Sequence, residues 1–128
     1  MKSIEHVRTF AATPAQVFEA LMDSKKHAAF TGEPATIDRN VGGAVSVYGG
    51  KVQAINLEVV PNERIVQAWR PANFPAGVFT IATFALAAEG KGTKLTFTQH
   101  AVPDDAFGHL DGGWEARYWK PLAAYLEK

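Results

Sequence analysis

The sequence predicts an α+β fold in which a bent antiparallel sheet wraps around a long C-terminal helix, with two short helices after the first strand. Three observations carry this. The helix-start signature Thr13-Pro14-Ala15-Gln16 follows directly on a short β-rich run. From Pro34 to Ala101, β-rich runs alternate with turn residues at fairly regular intervals, the mark of an antiparallel meander. At the end, Trp114, Tyr118, Leu122 and Tyr125 recur at helical spacing, an aromatic stripe that needs a surface to bury it.

The first strand is expected over Ser3 to Phe10. Thr13 then supplies an N-cap hydroxyl, Pro14 a preset φ at the first helical position, and Gln16 the reciprocal partner of a capping box. Val17, Phe18 and Leu21 share one face of that helix, Asp23-Ser24 stops it and caps a second helix ending near Phe30, and Thr31-Gly32 closes the pair. The meander follows as Ala44 to Tyr48 after Gly42-Gly43, Lys51 to Val60 after Gly49-Gly50, and Arg64 to Arg70 after the turn Pro61-Asn62-Glu63. Val78 to Ala88 and Thr93 to Ala101 flank Glu89-Gly90-Lys91-Gly92, read as a four-residue hairpin loop. In the last strand Leu95, Phe97 and Gln99 share the core face, while Lys94, Thr96, Thr98 and His100 share the other. Pro121 interrupts the final helix, and Gly108, Gly112 and Gly113 obscure its start.

Composition narrows the function classes. The 128 residues are 47% hydrophobic and 20% charged, without a cysteine, which fits one globular domain of residues 1–128 in a reducing interior. Thiolate metal sites, disulfides and cysteine nucleophiles are excluded. Thirteen basic residues balance thirteen acidic ones, so no global field favours nucleic acid or an anionic bilayer. Glu5, His6 and Arg8 break the apolar run that a signal peptide needs, and no stretch reaches transmembrane length, so a cytoplasmic location is expected.

The chain carries few signs of catalytic chemistry. Serine occurs only at Ser3, Ser24 and Ser46, none in a nucleophile elbow, and His6, His27, His100 and His109 lack the His-Glu spacing of a helical zinc motif. No catalytic residue, metal ligand or cofactor is assigned. Parity points His100 away from the core, Asp111 is read as a helix cap beside His109, and Asp104-Asp105 as a helical start. Gly90-Lys91-Gly92-Thr93 lacks the spacing of a phosphate loop and lies between strands.

The aromatic residues rise above this background. Trp69, Phe84, Phe97, Trp114 and Tyr118 are candidates to line a ligand cavity with polar rims at Tyr118 and Gln99, the alternative being an ordinary packed core. Trp69-Arg70 and Phe74-Pro75, near a strand end and its loop, are alternatively anchors for a partner protein, with Arg70 and Phe74 as contacts.

Thr13-Pro14-Ala15-Gln16-Val17-Phe18, Ala29-Phe30-Thr31, Pro34-Ala35-Thr36-Ile37, Val41-Gly42-Gly43, Val59-Val60-Pro61, Ile65 to Arg70, Pro75 to Phe79 and Gly113-Trp114 with Tyr118 together carry a resemblance. In that order and spacing they resemble the helix-grip or START-like superfamily, and within it the activators of the heat-shock-protein-ninety ATPase. The resemblance implies a non-catalytic, co-chaperone-like protein whose partner is a chaperone of that class, as a monomer or homodimer. In the eukaryotic activators a domain of this kind is the C-terminal of two. The preceding one makes the main chaperone contact through an asparagine- and tryptophan-rich motif that these residues do not contain, so activation by this domain alone is not implied. The wider superfamily implies an alternative, a binder or carrier of a small hydrophobic ligand between the sheet and the C-terminal helix. Some superfamily members are cyclases, which leaves a cavity-based enzyme as a third reading.

Overall fold

The computed structural model describes all 128 residues. It contains strands β1 (Lys2–Phe10), β2 (Thr36–Ile37), β3 (Ala44–Val47), β4 (Val52–Val60), β5 (Arg64–Pro71), β6 (Thr80–Glu89) and β7 (Gly92–Val102). Helices α1 (Pro14–Met22) and α2 (Ser24–Thr31) follow β1; α3 (Phe107–Trp114), a π-helical turn (Glu115–Trp119) and α4 (Lys120–Leu126) form one continuous C-terminal helix. The sheet is antiparallel throughout, in the order β1-β7-β6-β5-β4-β3-β2. This is the predicted helix-grip, START-like α+β architecture. β2, for which the sequence offers no separate signal, adds one edge.

The helix pair forms as its residues dictate. Thr13 Oγ1 accepts from the Gln16 backbone N–H at 3.2 Å while Gln16 Oε1 accepts from the Thr13 N–H at 2.8 Å, a complete capping box worth about 1 kcal/mol. Asp23 serves both helices: its N–H ends α1 on Glu19 O, and its carboxylate starts α2 by accepting from Lys26 N at 2.9 Å.

Side chains alternate across the sheet. Ile65, Phe84 and Phe97 lie opposite one another on β5, β6 and β7, and the next row holds Gln67, Ala82 and Gln99. All six are buried beneath the C-terminal helix, in and around one cluster of 25 buried apolar residues. His100 points outward, as its parity requires, and bonds Ser3 at 2.9 Å.

Several local expectations need correction. Glu89 pairs with Gly92, so the β6–β7 loop is the two-residue turn Gly90-Lys91 rather than four residues. Gly90 takes φ 59°, and a Cβ on Gly92 would collide with the Phe10 carbonyl at the end of β1. Gly108, Gly112 and Gly113 all lie inside α3, which starts at Phe107 behind a 3-10 turn over Asp104–Ala106. Asp111 is therefore a mid-helix residue and not a cap.

The π turn is the main departure from the expected stripe. In an uninterrupted α-helix the Arg117 carbonyl would accept from residue 121, which is a proline without an N–H. The helix widens just before it, with Lys120 N–H donating five residues back to Glu115 O. Widening turns two adjacent aromatics, Tyr118 and Trp119, into the core. Trp114 and Trp119, five apart in sequence, then stack with ring centroids 5.4 Å apart at 19°.

Candidate functional site

The C-terminal helix leaves a cleft beside β4, β5 and the loop that follows β5, with a volume of about 1090 Å³. One wall is a helical stripe: Ala106, His109, Leu110, Gly113, Trp114, Arg117 and Tyr118, recurring at steps of three and one. The opposite wall is Trp69 at the end of β5 with Phe74 in the following loop; Tyr48, in the 3-10 turn after β3, and Val52, at the start of β4, close the floor.

The proposed wall residues divide by depth. Trp69, Trp114 and Tyr118 line the cleft, each with a small exposed margin of 7%, 4% and 8%. Phe84, Phe97 and Gln99 do not. Strand parity aims them at the helix as expected, but they sit under Trp114 and Trp119, with Phe97 only 4.3 Å from the Trp114 ring centroid. Their place is the layer that supports the wall. Gln99 Oε1 accepts from Trp114 Nε1–H at 2.8 Å, its Nε2 donates to Thr80 Oγ1 at 2.9 Å, and the Thr80 hydroxyl donates to Trp69 O at 2.7 Å. A single buried chain of hydrogen bonds thus connects the two tryptophans facing the cleft, and their rings lie 5.2 Å apart.

Arg70 and Phe74 separate in the same way. Phe74 is half-buried on the cleft. The Arg70 guanidinium turns back onto its own loop, donating to the carbonyls of Val78 at 3.1 Å, Pro75 at 3.2 Å and Phe74, which folds the loop from Pro71 to Val78 into a lip of the cleft. These bonds use Nε and Nη2 of the guanidinium and leave Nη1 free, so the loop contacts orient Arg70 without spending all of its donors.

Three residues that give no sequence signal complete the site. Tyr48 donates its hydroxyl to Arg117 O at 2.7 Å, meeting the carbonyl that Pro121 cannot reach. His27, on α2, shares a 2.9 Å hydrogen bond with the Tyr118 hydroxyl, and its other ring nitrogen, Nδ1, is buried without a partner. Burial pushes the His27 pKa down to about 4 and raises both the Tyr118 and Tyr48 hydroxyls well above the ordinary phenol range. His6, on β1, accepts from Trp119 Nε1–H at Nδ1, 2.9 Å away. An indole can only donate, so Nε2 of the neutral ring carries the proton and gives it to Asp111 Oδ1 at 2.8 Å. Together with Arg8–Glu115 at 2.9 Å, this pins the C-terminal helix to β1.

At the cleft mouth Lys51 Nζ stands 3.7 Å from Glu33, and Arg117 has no side-chain partner. No three histidine or carboxylate side chains converge as metal ligands, and no helix is long and apolar enough to cross a membrane.

A curved antiparallel sheet holding a long helix over an apolar cleft defines a helix-grip domain. Within that class, a model of the family described as activator of Hsp90 ATPase homolog 1-like protein matches residues 11–127, and the chain belongs to that family. It is 30% identical over 115 residues to an activator of 90 kDa heat shock protein ATPase homolog from Dictyostelium discoideum, covering 89% of this chain and 30% of that one. The chain thus spans about a third of the length of the curated relatives it matches. Among solved structures, an HSP90 activator from Plasmodium falciparum superposes with a TM-score of 0.94 at 20% identity, covering 99% of this chain and 97% of the other. The Aha1 dimer from Colwellia psychrerythraea does so at 0.82 and 21%, covering 99% and 97%. At these identities both similarities concern the fold.

Proposed function

We propose that this chain acts by binding rather than by catalysis, as a co-chaperone-like domain that contacts a chaperone of the 90 kDa heat-shock class in the cytoplasm. The supporting observation is its 30% identity, across 89% of its length, to a protein named as an activator of that chaperone's ATPase. Since the match takes in only 30% of the relative, the reading claims contact, with stimulation as its strongest form. The test is titration of the purified chain into such a chaperone, following ATP turnover and binding heat together. Saturable binding is expected; no heat and no change in turnover at excess chain would overturn the reading.

The cleft favours a second reading, a binder or carrier of a small hydrophobic molecule. Its volume of about 1090 Å³ reaches the upper end of ordinary ligand pockets, and Trp69, Trp114 and Phe74 give it apolar walls. A native mass spectrum of freshly purified protein, set against its denatured mass, should show a dissociable extra mass. A bare chain that also fails to bind a neutral naphthylamine probe would remove this reading.

A further inference from the structure

We infer that the cleft is shaped for an amphipathic acid: a planar ring body between Trp69, Trp114 and Phe74, and a carboxylate, sulfonate or phosphate group on Arg117. This inference rests on the second reading above, that the cleft takes a small molecule.

The argument begins with how the arginines are used. Arg8 pairs with Glu115, Arg39 with Glu19 and Arg64 with Glu58, while Arg70 donates to backbone carbonyls. Arg117 alone has no hydrogen-bond or ion-pair partner for its side chain, and it lines the cleft. Its backbone is held in place because Tyr48 bonds its carbonyl at 2.7 Å. A guanidinium fixed at its root presents a planar fork of donors, the geometry that oxyanions accept in pairs.

The other charges at the mouth do not cancel it. Glu33 faces Lys51, which answers its charge. Asp105 lies at the far end of the helical stripe, on the order of 15 Å from Arg117 along the axis, beyond effective reach at physiological salt. His109 sits near that same far end and adds no negative charge. The cleft therefore has aromatic walls and one unanswered cation at its lip.

Gly113 supplies the control. It belongs to the cleft-facing stripe, and a Cβ placed there would meet nothing within 4 Å, so a larger side chain projects into open cleft rather than into packed core. Two probes share a ring skeleton and differ in charge: 1-anilinonaphthalene-8-sulfonate and the neutral N-phenyl-1-naphthylamine. Their binding is followed by probe emission and tryptophan quenching in wild type, Arg117→Gln, Arg117→Lys, Gly113→Leu and Lys120→Gln, with circular dichroism confirming each fold.

Both probes should bind wild type and lose most of their affinity in Gly113→Leu. Arg117→Gln should weaken the sulfonate about ten- to a hundred-fold and leave the neutral probe unchanged, the size of a lost charge-assisted hydrogen bond. Arg117→Lys should restore part of the loss, and Lys120→Gln, whose residue lies off the cleft, should change neither probe. Equal sulfonate affinity in wild type and Arg117→Gln, with the neutral probe still excluded by Gly113→Leu, overturns the acid inference and leaves the cleft reading standing. Failure of both probes to bind, or binding indifferent to Gly113→Leu, overturns the cleft reading itself.

Discussion

Tyr48 and Arg117 are 69 positions apart in sequence and meet through a hydrogen bond of 2.7 Å from hydroxyl to carbonyl. The bond joins the floor of the cleft to the π turn of the helix above it. It also offsets a local cost, because Tyr48 holds φ 54°, a left-handed conformation that a side chain disfavours by about 1 kcal/mol. Tyr48→Phe keeps the ring and removes only the donor. It should lower stability by about 1 kcal/mol in urea unfolding, with no change in the slope against urea.

His27 makes stability depend on acid. Its folded pKa lies at about 4, below the ordinary value of 6.5, because burial penalises the charged ring. Between those values the unfolded chain takes up a proton that the folded chain refuses. This contribution is therefore complete above pH 6.5 and is lost progressively down to pH 4, by which point the loss amounts to about 3 kcal/mol. His27→Phe should be less stable at pH 7.5, having left the Tyr118 hydroxyl unpaired, but should lose less between pH 6.5 and 4.5 than wild type. Parallel pH profiles of unfolding free energy would contradict this.

Gln99 holds two donors and acceptors in balance beneath the cleft wall. Gln99→Leu preserves volume but strands the Trp114 indole N–H and leaves the Thr80 oxygen without its donor. The expected cost is about 1–3 kcal/mol. The Trp114 environment should change with it, which a shift in tryptophan emission would register. A variant as stable as wild type would mean that the chain of bonds carries no net weight.

Gly112 lies within α3 on an exposed face, where a Cβ would meet nothing within 4 Å. Gly112→Ala should therefore raise stability by close to the helix-propensity difference, about 1 kcal/mol, seen as a higher thermal midpoint. A neutral or destabilising result would contradict the reading of Gly112 as an exposed helix position whose Cβ meets only open space.

Much of the fold was legible in local signals. The Thr13–Gln16 box, the shared cap at Asp23, and the parity of Leu95, Phe97 and Gln99 each depend on residues within a few positions of one another. The site was legible only in part. Parity shows which way Phe84 and Phe97 face, but not that a helix lies close over them while leaving Trp69 at an open edge. Trp119 falls one place off the stripe through Trp114 and Tyr118, so a regular 3.6-residue helix would turn it away; Pro121 was the visible sign, and the π turn is its consequence. His6 and Trp119 are 113 positions apart, and nothing near either residue announces the other.

The neighbours in the sheet follow chain order except at one seam, where β1 pairs with β7. Phe10 lies against Thr93 and Lys2 against Val102, so that seam closes a loop holding α1, α2 and the other five strands. Hairpins along the meander can form by short searches, whereas the seam must close the long loop from Phe10 to Thr93. The C-terminal helix is tied to β1 by His6 and Arg8, so the contacts that complete its docking require β1 to be in place, and docking is expected to be coupled to closure of the seam. Substitutions at Arg8 or Glu115 should accordingly speed unfolding while leaving the refolding rate almost untouched.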